Sequence, residues 1–398
     1  MFEINTIQFS ILLFAFSVWL LVVIKKGFRS LYTLYYFLNL TIFLGPILYY
    51  KIGFIAYYTV VSDNSISEFM YIGITIAILN ILFVKTIGKS RNSLSSKAIQ
   101  ELAITYRPNQ LINNYFNFII LFCIVYIVLF FKSLPLYKLI LTGEIGERLD
   151  LTGAIPFYIT VSSIFMILVP SAFFYFKETS KNKYLIFFLF VFSLLALTAG
   201  GNKGIVSFFI LFYLLIYVKN LGVLKSSLGG IAVIFIYAVS KGRTSLDAES
   251  INYLVESPFR RLFATQGVGF IGRIKMVAEN KFNLQSDYNI KQQLYSEMYN
   301  MPLGTGSGPT HFLGDIYVGY GIILMWLAYI IFLLILVPLI YSADKFLIRR
   351  KHSLILWNIF IFIFLFNMSD ISIANVLRSS IIIINLFIIY KLSKIKLV

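Results

Sequence analysis

Residues 301–340 read MPLGTGSGPTHFLGDIYVGYGIILMWLAYIIFLLILVPLI. The first ten close a long polar interval that opens at Lys241. From about 310 the text turns apolar and stays so to about 340. A helix needs about 20 apolar residues to cross a bilayer, and a longer run crosses with tilt. Outward from this run the pattern repeats. Apolar runs predict helices over about 5–24, 31–50, 67–87, 113–131, 156–176, 184–199, 205–218, 227–240, 310–340, 354–368 and 376–390. The reading is an all-α polytopic integral membrane protein, with 1–398 as one transmembrane domain of about 11 transmembrane helices. The interval 241–309 is one large loop inserted between helices 8 and 9.

Composition agrees. Of 398 residues, 59% are hydrophobic and 13% are charged, against about 25% charged in soluble domains. The runs do not alternate as β-barrel strands of about ten residues do. The first run lacks the basic start and small-residue cleavage site of a signal peptide. One cysteine, Cys123, permits no intramolecular disulfide. No CxxC, HExxH or histidine pair calls for zinc, so neither metal nor cofactor is expected.

Net charge is +17, which in a soluble protein suggests nucleic acid. Sorted by alternate connectors, the charges separate instead. One side holds 20 Lys+Arg with three acids, Glu101, Glu178 and Asp344; the other holds 14 Lys+Arg and 14 acids. The positive-inside rule makes the first side cytoplasmic. The amino terminus and the 241–309 loop are then outside and the carboxyl terminus is inside. Topology accounts for the charge excess, and nucleic acid is not expected as a partner.

Candidate chemistry gathers on the outer side. Lys203, Arg243 and Arg378 lie within a few residues of predicted helix ends, at the depth of lipid headgroups. A charge there snorkels or pairs, and an anionic lipid diphosphate suits it. Arg260 and Arg261 are lesser candidates. The other loop cations, Arg273 among them, read as solvated surface charges. Gly306 and Gly308 lie in the Gly-Thr-Gly-Ser-Gly-Pro stretch 304–309, where free N–H groups at a helix start can bind an anion. It is no nucleotide loop, since no Gly-Lys-Ser/Thr follows. His311 and Asp315, four apart, share one face of a helix. His311 is the favoured general base and Asp315 the second choice.

The text from Gly304 to Gly321 resembles the segment that closes the large periplasmic loop of O-antigen polymerases of the Wzy type. Gly-Gly-Asn-Lys-Gly at 200–204 is similar to that family's short basic Gly-rich hairpin, and Arg261 and Gly272 match its Arg-ten-Gly spacing. The resemblance implies a fold of the GT-C polymerase/ligase type, amino terminus periplasmic and carboxyl terminus cytoplasmic, in the bacterial inner membrane. It implies a glycosyltransferase that polymerises undecaprenyl-diphosphate-linked oligosaccharide repeat units at the periplasmic face without metal. The product would be O-antigen or a related surface polysaccharide. Lipid-linked glycans and the bilayer would be its partners, with a chain-length regulator protein as accessory. In this reading Arg243, Lys203 and Arg378 bind diphosphate, and His311 or Asp315 takes the acceptor's proton. The alternatives are an O-antigen ligase-like transferase and a lipid-linked oligosaccharide flippase or other transporter.

Overall fold

The structure is a computed structural model. It describes residues 5–25, 30–52, 63–86, 100–102, 106, 108–134, 156–200, 203–217, 265–283, 286, 288–303, 308, 310–349, 352–367 and 372–395. Among them every regular element is helical. In chain order these are α1 (Thr6–Ile24), α2 (Leu31–Phe43), α3 (Gly45–Ile52), α4 (Asp63–Thr86), α5 (Gln110–Phe130), a 3-10 turn (Phe131–Ser133), α6 (Tyr158–Thr179), α7 (Lys183–Ala199), α8 (Lys203–Tyr217), α9 (Thr265–Ala278), α10 (Ile290–Tyr299), α11 (Phe312–Arg349), α12 (Ser353–Asn367) and α13 (Ile373–Lys394). Asparagine marks many of the starts. Asn5, Asn109, Asn182 and Asn289 each accept hydrogen bonds from the first-turn N–H groups of the helix that follows, satisfying donors that a helix start leaves orphaned.

Six of these helices are long and apolar enough to cross a membrane: α1, α4, α5, α6, α11 and α13. The pair α2 and α3, bent by 41°, makes a seventh if it counts as one span. The chain therefore has the character of a multi-pass membrane protein. The expected single helix over 31–50 is this bent pair. Pro46, just past Gly45, has no N–H to give to the turn before it, and its ring crowds the carbonyl there. The helices expected near 184–199, 205–218 and 354–368 are present, at 17, 15 and 15 residues, and the one expected over 227–240 lies outside the described residues.

The chain divides into two compact units. Unit 1 comprises Met1–Lys97, Phe259–Asp344 and Ile363–Ser372. In it α1 packs on α4 and α2, and α9 packs on α2, α3 and α4. Gln8 accepts a hydrogen bond from Ser67 at 2.8 Å, and Glu68 accepts one from Tyr317 at 2.8 Å, which gathers the starts of α1, α4 and α11 at one end. At the other end Asp344 accepts from Ser30 Oγ and from the Leu31 N–H, capping α2 from α11. Between the ends a buried chain of neutral polar groups joins the helices. Asn80 donates to Tyr329 at 2.5 Å, Tyr329 meets Tyr35 at 3.2 Å, and Asn39 donates to Asn367 at 3.2 Å.

Unit 2 comprises Ala98–Pro258, Lys345–Phe362 and Ile373–Val398. Its core is α6, with nearly every residue from Ser162 to Phe176 buried, against α5, α7 and α13. Phe173, Phe174, Phe209, Phe212, Trp357 and Phe360 form its aromatic cluster. A second neutral ladder crosses it. Tyr115 donates to Asn385 at 3.1 Å, Asn385 to Asn358 at 3.1 Å, and Asn358 to Ser171 at 2.9 Å. Cys123 is buried in α5.

Two boundaries departed from expectation within 241–340. The stretch read as a loop carries α9 and α10, and the helix expected over 310–340 runs on to Arg349 but is broken at Gly321 (φ 80°, ψ 177°). Only glycine holds that backbone conformation without strain.

Candidate functional site

The site is built around α9. Its sequence, TQGVGFIGRIKMVA, reads as mixed, yet Gly267 through Ile274 are all buried. The glycines let the backbone come close. A Cβ at Gly267 would fall on the Ile42 carbonyl and on the Pro46 ring, so the helix seats against the α2–α3 bend. Phe270 stacks edge-on with Phe43, Phe69 and Tyr317.

This seating carries Arg273 into the interior with none of its side chain exposed. An unpaired guanidinium there would cost many kcal/mol, and every donor group finds an acceptor. Nε and Nη2 reach one oxygen of Asp315 at 3.1 and 3.0 Å. Nη1 donates to the Gly269 carbonyl at 3.1 Å, and both Nη atoms reach the Gly308 carbonyl at 3.3 Å. Burial pushes the guanidinium pKa below its usual value and Asp315 opposes that. Arginine keeps its charge regardless.

Asp315 stands in the first turn of α11, where the helix dipole favours a carboxylate. Gly314 beside it leaves room for the Arg273 stem, since a Cβ would lie 3.1 Å from Arg273 Cδ and 2.7 Å from Thr310 Oγ1. Gly308 is held from both sides. Its carbonyl takes Arg273, and its N–H donates to the Lys291 carbonyl of α10 at 2.9 Å. Arg273 thus ties α9, the end of the Gly-rich stretch and the head of α11 into one piece.

His311 is fully buried. Its ring packs against Phe43 and Phe312, with centroids at 5.4 and 4.6 Å. Nδ1 accepts from the Leu313 N–H at 3.3 Å, which puts the proton on Nε2, and Nε2 makes no hydrogen bond of regular geometry. Burial lowers the imidazole pKa to about 3, with the Asn367 amide opposing that only in part. The ring is neutral near neutral pH, and neither nitrogen faces solvent.

One carboxylate of this end differs. Glu68, in the second turn of α4, is half-buried and accepts a hydrogen bond from the Tyr317 hydroxyl. The sequence reading passed over it, and placed Arg273 among the surface cations. Arg273 carries a signal in retrospect, a charge between Ile271 and Ile274; Glu68 follows the polar stretch Asp63-Asn-Ser-Ile-Ser and carries none.

The structure brings Gly308, His311 and Asp315 together in unit 1. Arg378 lies in α13 of unit 2, where Nη1 donates to Asn375 Oδ1 at 2.8 Å. Lys203 is the first residue of α8, also in unit 2, and its side chain lies outside the described residues. Arg243, Arg260, Arg261 and Gly306 lie outside them too. Among the described residues no group of three His, Cys, Asp or Glu side chains is placed to hold a metal ion. Compared with known proteins, the chain matches no family model, no curated protein and no solved structure.

Proposed function

We propose that this chain is a glycosyltransferase of the bacterial inner membrane, of the Wzy type, that polymerises undecaprenyl-diphosphate-linked oligosaccharide repeat units at the periplasmic face. The observation that carries the reading is the buried Arg273–Asp315 pair. An ion pair in such a place is a poor source of stability. It makes sense where a polar segment must be held in one geometry, and here it holds the end of the Gly-rich stretch to the head of a membrane helix. In this reading the charge sorting puts this end on the periplasmic side. A transporter would call for ionised groups along a path through the helices; the described interiors instead carry neutral Asn, Tyr and Ser ladders.

In this reading the growing glycan passes from its lipid diphosphate to the non-reducing end of a new lipid-linked unit. Negative charge grows on the departing diphosphate, and fixed cations stabilise it. Arg243, Lys203, Arg378, Arg260 and Arg261 are proposed for that work, and the Gly306 N–H as a further anion donor. Gly308, whose N–H and carbonyl are both engaged within the protein, and Asp315, gripped by Arg273, serve as positioning groups. His311 packs the base of the same segment.

The test is complementation. The gene is deleted in its host and restored as wild type or Arg243→Ala, and surface polysaccharide is run on a gel with membrane protein levels checked. A deletion that leaves core bearing a single repeat unit, with the ladder restored by wild type and not by Arg243→Ala, supports polymerase. A deletion that leaves no capped core at all points to ligase or flippase and sinks the reading.

A further inference from the structure

We propose that Glu68 is the proton acceptor of the transfer reaction, a role that rests on the polymerase reading of this site. A base at this end must be a titratable group near the head of α11, open to an incoming hydroxyl and free of a cation that would spend its basicity. Among the described acidic and histidine side chains of unit 1 the candidates narrow quickly. Asp315 is bound to Arg273, with 12% of its side chain exposed. His311 is enclosed between Phe43 and Phe312 with no exposure. Glu279 and Glu297 both pair with Lys281 on the surface of the α9–α10 hairpin. Asp344 caps α2 at the opposite end of the unit. Glu68 meets the requirements: it is half-buried, and its hydrogen bond comes from a neutral hydroxyl.

Its neighbours place it beside the head of α11. Tyr317, which donates to it at 2.8 Å, sits two residues beyond Asp315 on the short helical segment that Arg273 grips. The Tyr317 ring lies against Phe270, three residues before Arg273. Phe69, next to Glu68, packs on the same Phe270 and on Phe43. One hydrogen bond from Tyr317 fixes the orientation of the carboxylate and leaves acceptor capacity on it.

The step balances without a metal. The acceptor hydroxyl oxygen attacks the anomeric carbon of the donor glycan. The bond from that carbon to the diphosphate oxygen breaks, and the lipid diphosphate leaves with the bonding pair. The hydroxyl proton passes to a carboxylate oxygen of Glu68.

The experiment uses the deletion strain, which supplies its own substrate, with full-length variants at matched membrane levels. Loss of a positioned base costs about 10²–10⁴-fold. Glu68→Gln is therefore expected to cut chains of more than one unit at least a hundredfold, while Glu68→Asp keeps part of the ladder. Formate in the medium is expected to restore part of it to Glu68→Ala, which a purely structural role would not allow. A normal ladder from Glu68→Gln overturns the proposal and leaves the polymerase reading standing. So does a well-inserted Glu68→Ala rescued by neither formate nor the Asp replacement. A wild-type gene that restores no ladder overturns the polymerase reading, and the role of Glu68 with it.

Discussion

Nε and Nη2 of Arg273 converge on a single oxygen of Asp315, at 3.1 and 3.0 Å, across 42 residues of chain. Removing one partner strands a buried charge, which costs about 3–5 kcal/mol. Arg273→Met and Asp315→Asn should each lower the unfolding midpoint of the detergent-solubilised protein sharply. Arg273→Lys should rescue little, because a single ammonium cannot serve Asp315, Gly269 and Gly308 from one fork. The double variant Arg273→Met/Asp315→Leu should recover much of the loss. Equal losses in single and double variants would refute the pairing as the source of the effect.

Two glycines make an internal contrast. Gly267→Ala puts a methyl on the Ile42 carbonyl and the Pro46 ring, neither of which can swing aside. Overpacking of this kind costs about 1–3 kcal/mol and at times more, so membrane yield and thermal stability should fall. At Gly319 a Cβ meets nothing within 4 Å, and alanine should be neutral or slightly stabilising by helix propensity. Thermal-shift measurements on the two variants side by side decide it.

Acid should loosen unit 1 through His311. Its folded pKa of about 3 lies below the unfolded value of about 6.5, so the unfolded chain binds the proton first. The contribution is undiminished above pH 6.5 and shrinks as pH falls towards 3, by at most about 1.4 kcal/mol per pH unit. His311→Phe should flatten the stability profile between pH 6 and pH 4, relative to wild type. A wild-type slope that survives in His311→Phe would show that another group titrates there.

Tyr329→Phe removes the hydroxyl that Asn80 and Tyr35 share in the interior of unit 1. Interhelical hydrogen bonds in membrane proteins are worth about 0.6 kcal/mol on average and seldom more than about 1.7. A shift of that modest size, smaller than that of Arg273→Met, is expected in the same unfolding assay.

Much of the fold was legible because lipid-facing helices declare themselves by length and apolarity, and α1, α4, α5, α6, α11 and α13 follow their runs. The α2–α3 bend was written in Gly45-Pro46 but looks in sequence like a continuous span. The site was harder to read. Three glycines, Arg273 and Lys275 dilute α9 until it resembles loop, and its burial depends on Ile42 and Pro46 more than 200 residues away. His311 has the residue type of a base, but whether an imidazole is open or enclosed is decided by Phe43, on another helix. Arg273 was counted with the solvated cations because charge alone does not say which way a helix faces.

The break at Gly321 has a mechanical consequence. Nothing crowds that glycine; its φ of 80° alone uncouples Phe312–Tyr320 from the long apolar helix that follows. The short segment therefore takes its direction from Arg273 and Glu68, which hold its two sides, and not from the rod below it. The slope of the long helix is thereby set apart from the direction of the short segment, as across a universal joint.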